Sequence, residues 1–291
     1  MDIRPDEPMA GHVTWRAGGR VAKACFPRAV DDLASFMAGM RHDEPLLMVG
    51  LGSNLLIRDG GFDGTAIFTH GALDVLRLEA DGTIYAEAGV SSPKVARFAA
   101  NHNFAGAEFL AGIPGTLGGA LAMNAGCHGG EIWSYVERVR MLTRKGELID
   151  RTPADFAIAY RHCGLKVATD EIFVASWLRF PAGDAATARA TIKTLLEKRI
   201  ASQPLQLPNA GSVFRNPPGD YAARLIEAAG LKGVEEGGAR VSEKHANFIV
   251  NPGGKANAAA IESLIGRIQA EVREQFGVEL VREVRILGVR V

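Results

Sequence analysis

The segment from Phe109 to Gly130 constrains this sequence most, because it joins many glycines to a complete lack of charged side chains. Its centre, residues 112–126, reads GIPGTLGGALAMNAG. A run of about 20 apolar residues could span a membrane. However, Gly costs ~1 kcal/mol and Pro ~3 kcal/mol relative to Ala in a helix interior. Two interpretations remain: a buried, tightly packed loop, or a backbone cradle whose N–H groups face a bulky anion.

The overall composition narrows the class of protein. The chain has 291 residues, and its 33 basic side chains balance 33 acidic ones. This length allows two or three compact units, and zero net charge argues against a nucleic-acid partner. Cys25, Cys127 and Cys163 lack metal-ligand spacing, which favours a reducing compartment and no metal site. The N-terminus lacks a secretion-signal pattern. We therefore expect a cytoplasmic protein without a membrane partner, as a monomer or a weak oligomer.

Periodicity predicts a mixed α+β fold. Apolar residues recur at helical spacing in five segments, the longest of which runs from Ile261 to Phe276 and is stopped by Gly277. Pairs of alternating segments flank Asp81-Gly82 and Arg144-Lys145-Gly146, which is typical of β-hairpins. Hairpins outnumber strand–helix–strand crossovers, so the pattern favours α+β over a doubly wound parallel sheet. A break near Ser202-Gln203-Pro204 indicates a domain boundary.

A second glycine loop, GLGSNLL, covers residues 50–56 and follows a short apolar strand. It has two glycines rather than three and no helical pattern after it, so it does not match the Rossmann dinucleotide fingerprint. Taken alone, such a loop is a turn as often as a ligand site. Two glycine loops together favour a dinucleotide, because its phosphates need close backbone on more than one side.

Six motifs occur in an order that resembles one family of flavoenzymes. They are GLGSNLL (residues 50–56), GIPGTLGGALAMNAG (112–126), AYRH (159–162), GSVFRNP (211–217), VSEKHANFI (241–249) and EVR (283–285). The order is similar to that of the UDP-N-acetylenolpyruvoylglucosamine reductase family, and the resemblance covers most of the chain, from Thr14 to Leu287. The chain resembles the branch without a tyrosine-bearing lid loop, because residues 180–185 lead directly into the next helix.

The resemblance implies a fold and an activity. The expected fold is a two-part FAD-binding domain of the vanillyl-alcohol-oxidase type with a smaller α+β substrate domain. The implied domains are residues 1–71 and 72–203 for FAD and 204–291 for substrate, with the last strand returning to the first part. The implied activity is NADPH-dependent reduction of UDP-N-acetylglucosamine enolpyruvate to UDP-N-acetylmuramate, through non-covalent FAD, for peptidoglycan precursor synthesis.

Three residues carry the implied chemistry. Without the resemblance, Ser212 would be a turn serine, Arg161 a surface ion-pair partner and Glu283 part of an exposed strand. The family's pattern makes Ser212 the proton donor to the reduced substrate and Arg161 a bidentate clamp on the enolpyruvyl carboxylate. The same pattern places Glu283 beside that carboxylate.

The remaining site residues are also carried over from the resemblance. The predicted FAD-binding residues are Gly50, Leu51, Gly52, Ser53, Asn54, Leu55, Ile113, Pro114, Gly115, Thr116, Gly119, Asn124, Ala125, Gly126 and Arg285. The predicted substrate-binding residues are Tyr160, Arg161, Asn216, Lys244, His245 and Asn247. His245 could instead be a core histidine.

Two alternative functions stay open at this point. A small-alcohol oxidase of the same fold could attach FAD covalently, and Cys127 and His128 follow the glycine segment closely enough for that. A non-catalytic nucleotide-sugar sensor is the other, although the joint presence of Arg161, Ser212 and Glu283 argues against it. The sequence departs from the family's usual residues at Leu51, at Cys163 after the AYRH motif, and at Arg282.

Overall fold

The computed structural model describes residues 1–167 and 170–291. Its strands are β1 (Asp2–Pro8), β2 (Arg20–Phe26), β3 (Leu46–Val49), β4 (Leu55–Ile57), β5 (Phe62–Phe68), β6 (Leu76–Leu78), β7 (Ile84–Glu87), β8 (Gly126–Cys127), β9 (Gly130–Glu131), β10 (Val136–Thr143), β11 (Leu148–Arg151), β12 (Phe156–Ala159), β13 (His162–Leu165), β14 (Glu171–Leu178), β15 (Glu235–Glu236), β16 (Ala239–Val241), β17 (Ile249–Val250) and β18 (Arg285–Leu287). The α-helices are α1 (Val30–Ala38), α2 (Ser92–Asn101), α3 (Leu117–Ala122), α4 (Ala185–Ser202), α5 (Ala222–Ala228) and α6 (Ala258–Phe276). Short 3-10 helices cover Met9–Gly11, Glu108–Gly112, Ile132–Ser134, Pro153–Asp155 and Pro252–Gly254.

The chain divides into two compact units. The first unit consists of Met1–Arg4, Ala24–Gly50 and Thr65–Arg199, and the second consists of Pro5–Lys23, Leu51–Gly64 and Ile200–Val291. The predicted three-part division at residues 71 and 203 stays a prediction.

Antiparallel hairpins form the main sheet of the first unit, which has the strand order β11-β10-β14-β7-β6. Gly82, with a φ of 82°, forms the turn between β6 and β7, where the Asp81-Gly82 pair predicts a hairpin. The pairing of β10 with β11 confirms the other predicted hairpin. One face of this sheet packs into a core that includes Ile84, Val139 and Leu178.

Helix α6 organises the core of the second unit. Its buried residues Ile261, Leu264 and Ile268 follow the predicted apolar stripe. Asn257 caps the first turn by accepting a hydrogen bond from Ala260 N, and Gly277 ends the helix with a left-handed φ of 67°. Both boundaries follow from residues that the sequence places there.

The predicted helices and hairpins are present, but two features of the fold differ from the sequence interpretation. The glycine segment contains helix α3, although its composition disfavours a helix. Two strand pairs are parallel, β3 with β5 and β4 with β18. No helix in the described part of the chain is long and apolar enough to cross a membrane.

Candidate functional site

The uncharged glycine segment belongs to the first unit and is folded against the core. Leu117 N donates to Val90 O at 2.8 Å, and Gly118 N donates to Ala88 O at 2.9 Å. A Cβ on Gly118 would lie only 2.8 Å from the Ala88 side chain, so this residue must stay small. Tertiary contacts thus form α3 despite its low intrinsic propensity. Pro114 and Gly119, in contrast, are exposed and open to a ligand.

The two glycine loops meet at Gly50 and Thr116, both in the first unit. A Cβ at position 50 would lie 2.3 Å from Thr116 Oγ1, which leaves no space for any side chain. This contact places the end of β3 against the start of α3. Two segments that the sequence predicts to bind the same ligand therefore touch each other.

The residues after Gly50 belong to the second unit and offer free backbone donors. The N–H groups of Leu51, Gly52 and Ser53 have no acceptor among the described residues. Gly52 has a φ of 63°, and a Cβ there would lie 2.1 Å from His12 O. Three consecutive unpaired amides are a suitable set of donors for a phosphate group. The residues present thus fit the pyrophosphate of a dinucleotide such as FAD.

The last residues of the glycine segment have a structural role within the first unit. Asn124 is buried with a positive φ of 46°, and its Nδ2 donates to Glu131 Oε2 at 2.9 Å and to Ala159 O at 3.1 Å. Its Oδ1 accepts a hydrogen bond from Trp133 N. This network joins the end of the glycine segment to strand β12. The predicted contact of Asn124 with FAD stays a prediction.

Arg161 occupies the tight turn of the β12–β13 hairpin. Its φ of 53° lies in the left-handed region, which costs a non-glycine residue about 1–2 kcal/mol. The guanidinium lies 5.0 Å from the centre of the Tyr160 ring, and its Nη2 donates to Gly126 O at 2.7 Å. The glycine segment and the AYRH motif are therefore in contact. Such backbone strain is common where a side chain must be aimed at a ligand.

The segments that carry Ser212 and Glu283 pair in the second unit. Glu283 N donates to Val213 O at 2.8 Å, so the segment after Ser212 pairs with the segment that contains Glu283. Asn54 Nδ2 donates to Glu283 O, and Arg285 N donates to Asn54 O. Three of the predicted motifs therefore converge. Ser212 and Glu283 are both partly exposed, as residues that contact a ligand should be.

Asn247 holds this arrangement in place. Its side chain is buried and spans the backbone of Phe214, accepting from Phe214 N at 3.0 Å and donating to Phe214 O at 2.8 Å. Its own carbonyl accepts from Val213 N at 2.9 Å. Asn247 therefore positions the loop that carries Ser212. The contact of Asn247 with substrate stays a prediction.

The other predicted substrate residues lie on the same unit. Lys244 is exposed and its Nζ donates to Ile200 O. His245 packs edge-on against Phe248 at 4.7 Å, and burial lowers the pKa of its imidazole, which fits the core-histidine interpretation. Asn216 Oδ1 accepts from Ala222 N at the start of α5.

The cysteine near the glycine segment is poorly suited to covalent attachment of a cofactor. Cys127 donates to Phe109 O at 2.9 Å, and burial raises the pKa of its thiol to about 11. Burial also raises the pKa of Cys163, to about 12. Both thiols are therefore protonated at neutral pH. No group of three or more His, Cys, Asp or Glu residues within the described ranges could hold a metal ion.

Comparisons with known families agree with this geometry. A model described as an FAD binding domain matches residues 21–152. A model described as the C-terminal domain of UDP-N-acetylenolpyruvoylglucosamine reductase matches residues 203–287. Together with the paired glycine loops, these matches define the class: the protein is an FAD-containing oxidoreductase.

Relatives over the full length define the family. A UDP-N-acetylenolpyruvoylglucosamine reductase from Thiobacillus denitrificans is 52% identical over 98% of this chain and 92% of its own. A second such reductase, from Legionella pneumophila, is 55% identical over 97% of this chain and 91% of its own. The crystal structure of the Thermus caldophilus enzyme matches 98% of this chain and 99% of its own, with a TM-score of 0.84 and 28% identity. This chain belongs to the UDP-N-acetylenolpyruvoylglucosamine reductase family, which acts in peptidoglycan precursor synthesis.

Proposed function

We propose that this chain reduces the enol-ether double bond of UDP-N-acetylglucosamine enolpyruvate and so forms UDP-N-acetylmuramate. NADPH is oxidised to NADP⁺ in the same cycle. One carbon of the former double bond receives the hydride equivalent and its neighbour receives a proton, so the substrate gains two hydrogen atoms. The observation that carries the proposal is the convergence of the Ser212 and Glu283 segments in a chain with full-length relatives of this one activity.

FAD, when bound, would supply the hydride-transfer chemistry between NADPH and the substrate. The protein holds it through the free amides of Leu51, Gly52 and Ser53, together with Gly50, Asn54 and Leu55 of the same loop. The other predicted contacts are Ile113, Pro114, Gly115, Thr116, Gly119, Asn124, Ala125, Gly126 and Arg285. Because the two glycine loops contain no charged side chain, their contribution to binding the pyrophosphate comes from backbone dipoles.

Arg161 binds the carboxylate of the enolpyruvyl group. Its planar fork can donate two parallel hydrogen bonds to a carboxylate, which a lysine cannot do. Negative charge grows on this part of the substrate as hydride arrives, so the clamp stabilises the transition state more than the ground state. The strained turn at Arg161 supports this role.

Ser212 donates the proton and Glu283 acts beside it. A serine hydroxyl is a weak acid in water, so proton transfer requires a strongly basic carbon and a site that excludes water. The hydrogen bond from Glu283 N to Val213 O fixes the two segments relative to each other. In its protonated form, Glu283 donates a hydrogen bond to the carboxylate end of the substrate as charge develops there.

The remaining polar residues bind the nucleotide sugar. Tyr160 is 49% exposed beside Arg161, and Lys244 and Asn216 are exposed on the second unit. We assign these three to direct contact with the substrate. His245 and Asn247 support them from partly buried and buried positions, respectively. We also propose that the protein works in the cytoplasm as a monomer or weak oligomer, with no nucleic-acid or membrane partner.

One assay tests the proposed function. Purified protein with FAD and NADPH should oxidise NADPH only after UDP-N-acetylglucosamine enolpyruvate is added. Mass spectrometry should show a product that has gained two hydrogen atoms. A sensor would bind the nucleotide sugar without oxidising NADPH, and an alcohol oxidase would consume oxygen without needing the enolpyruvyl compound. Either result would overturn the proposal.

A further inference from the structure

Arg215 is a cation without a partner in the loop that carries Ser212. Its Nε is buried and makes no hydrogen bond, and its guanidinium has no ion pair within residues 1–167 and 170–291. The residue as a whole is partly exposed. Buried guanidinium donors that lack an acceptor cost free energy, because they have given up water without replacement. The position therefore favours an acceptor that a ligand brings.

The backbone pairing around Arg215 directs it toward the proposed site. Arg215 N donates to Val281 O at 2.9 Å, and Phe214 bridges to Arg282 in antiparallel fashion. Because side chains alternate along paired strands, Arg215 lies on the same face as Glu283 and on the opposite face from Phe214. Arg215 thus shares a face with a residue of the proposed chemistry.

By the same alternation, the next residue, Asn216, extends from the opposite face. It is exposed, and its Oδ1 accepts the hydrogen bond from Ala222 N at 3.1 Å. Arg215 is therefore the donor on the Glu283 face, and a guanidinium with several N–H groups in one plane selects an anion with several oxygens.

We propose that Arg215 binds a phosphate group of the nucleotide that occupies this site. The proposal rests on the proposed function and deepens it. A phosphate could come from the diphosphate of the UDP-sugar or from NADPH, and both present the same oxygen acceptors. Arginine matches phosphate geometry with two parallel hydrogen bonds, so the binding of one nucleotide depends on this side chain.

The test compares Arg215→Gln with wild type in the FAD-loaded protein. Titrations with UDP and with NADP⁺, followed by the flavin spectrum, give a Kd for each nucleotide. We expect one Kd to rise about tenfold or more, the scale of a lost charge-assisted hydrogen bond. The nucleotide affected identifies the source of the phosphate. Arg215→Lys keeps the charge without the fork and should restore only part of the affinity.

A matched control is available in the same unit. Arg240 also has a buried Nε without a partner, but its Nη1 pairs with Glu235 at 3.3 Å. Arg240→Gln should leave both Kd values unchanged. Because the Arg215 cation is unpaired, ligand-free Arg215→Gln should melt at or above the wild-type temperature. A structural arginine would instead lower the melting temperature.

Two outcomes overturn the inference. One is an Arg215→Gln protein that binds UDP and NADP⁺ as wild type does. The other is a variant that melts well below wild type, which would make Arg215 a structural residue. Failure of the proposed function is separate from both, because wild type would then bind the nucleotides without reducing the enolpyruvyl compound.

Discussion

At the scale of single residues, the proposed proton transfer depends on how firmly Ser212 is held. Asn247 fixes Phe214 from both sides, and Glu283 N fixes Val213. A serine that transfers a proton must keep its hydroxyl at one place, and this backbone network supplies that constraint. The motif made Ser212 a candidate, but the network around it involves buried contacts between distant segments. Those contacts follow from the fold and have no signature in the sequence.

Replacing Ser212 separates protonation from hydride transfer. Ser212→Ala should leave FAD binding and flavin reduction by NADPH nearly intact. Reoxidation of the flavin by the enolpyruvyl substrate should slow ~10²-fold or more, the scale of a lost general acid. Ser212→Cys should recover part of the rate, since a thiol can donate from nearly the same place. Stopped-flow absorbance measures both half-reactions. An alanine variant that reoxidises at the wild-type rate would remove Ser212 from the mechanism.

Replacing Arg161 by lysine tests the carboxylate clamp. Lysine keeps the charge but loses the fork, so kcat/KM for the enolpyruvyl substrate should fall at least about tenfold, or ~1.4 kcal/mol of transition-state stabilisation. Flavin reduction by NADPH should change much less. Steady-state kinetics gives kcat/KM for the enolpyruvyl substrate, and rapid mixing gives the rate of flavin reduction by NADPH. An equal loss of rate in both half-reactions would indicate that Arg161 has a general structural role.

At the scale of elements, the contact between the glycine loops can be tested without touching a polar residue. In Gly50→Ala, the new Cβ would lie 2.3 Å from Thr116 Oγ1, which is too close for two non-bonded atoms. The variant should lose about 1–3 kcal/mol of unfolding free energy and bind FAD less tightly. Gly266→Ala in α6 is the control, because the new Cβ would meet no atom within 4 Å apart from its chain neighbours and the backbone of its own helix. It should be neutral or stabilising, by up to ~1 kcal/mol. Denaturant unfolding measures the stability of both variants, and titration measures their FAD affinity. An unaltered FAD affinity in Gly50→Ala would contradict a role of this loop contact in FAD binding.

An ion pair ties helix α6 to residue 58. Glu262 accepts two hydrogen bonds from Arg58, at 2.8 and 2.9 Å, and these hold its pKa at about 2. A carboxyl with a depressed folded pKa stabilises the protein above its unfolded pKa of about 4.5, and this contribution is lost as the pH falls toward 2. Glu262→Gln should therefore cost roughly 1 kcal/mol or more at pH 7.

The pH dependence of the stability difference between wild type and Glu262→Gln tests this ion pair most directly. The gap in melting temperature between wild type and Glu262→Gln should narrow as pH drops below about 4.5. Glu197→Gln is the control, since Glu197 is exposed and lies 3.9 Å from Lys193 in α4. It should match wild type at every pH. A gap for Glu262→Gln that stays constant down to pH 3 would refute the linkage.

The elements also show what the sequence could predict. Helix α6 and the β6–β7 hairpin were predictable because their signals are local: an apolar stripe with Gly277 after it, and an Asp-Gly turn. Helix α3 was not predictable, because its glycines oppose a helix and its contacts with Ala88 and Val90 are tertiary. The parallel pairing of β18 with Leu55–Ile57 joins segments far apart in sequence, and no local pattern encodes that choice.

At the scale of the whole molecule, the α+β prediction and the family resemblance are both confirmed, by the family models and by the Thermus caldophilus structure. The residue assignments were carried over from motifs, and they stay predictions. The structure adds contacts within each unit that support them. Arg161 reaches Gly126 in the first unit, and Asn54 joins Glu283 in the second. The proposed reduction of the enolpyruvyl compound depends on both units and can be tested directly.

That test is a single reoxidation experiment without oxygen. FAD-loaded protein is reduced with one equivalent of NADPH and then mixed with UDP-N-acetylglucosamine enolpyruvate. We expect the oxidised flavin spectrum to return in full, and the enolpyruvyl compound to be converted in equal amount to UDP-N-acetylmuramate. A flavin that stays reduced with this compound, and is reoxidised only when oxygen is admitted, would contradict the account.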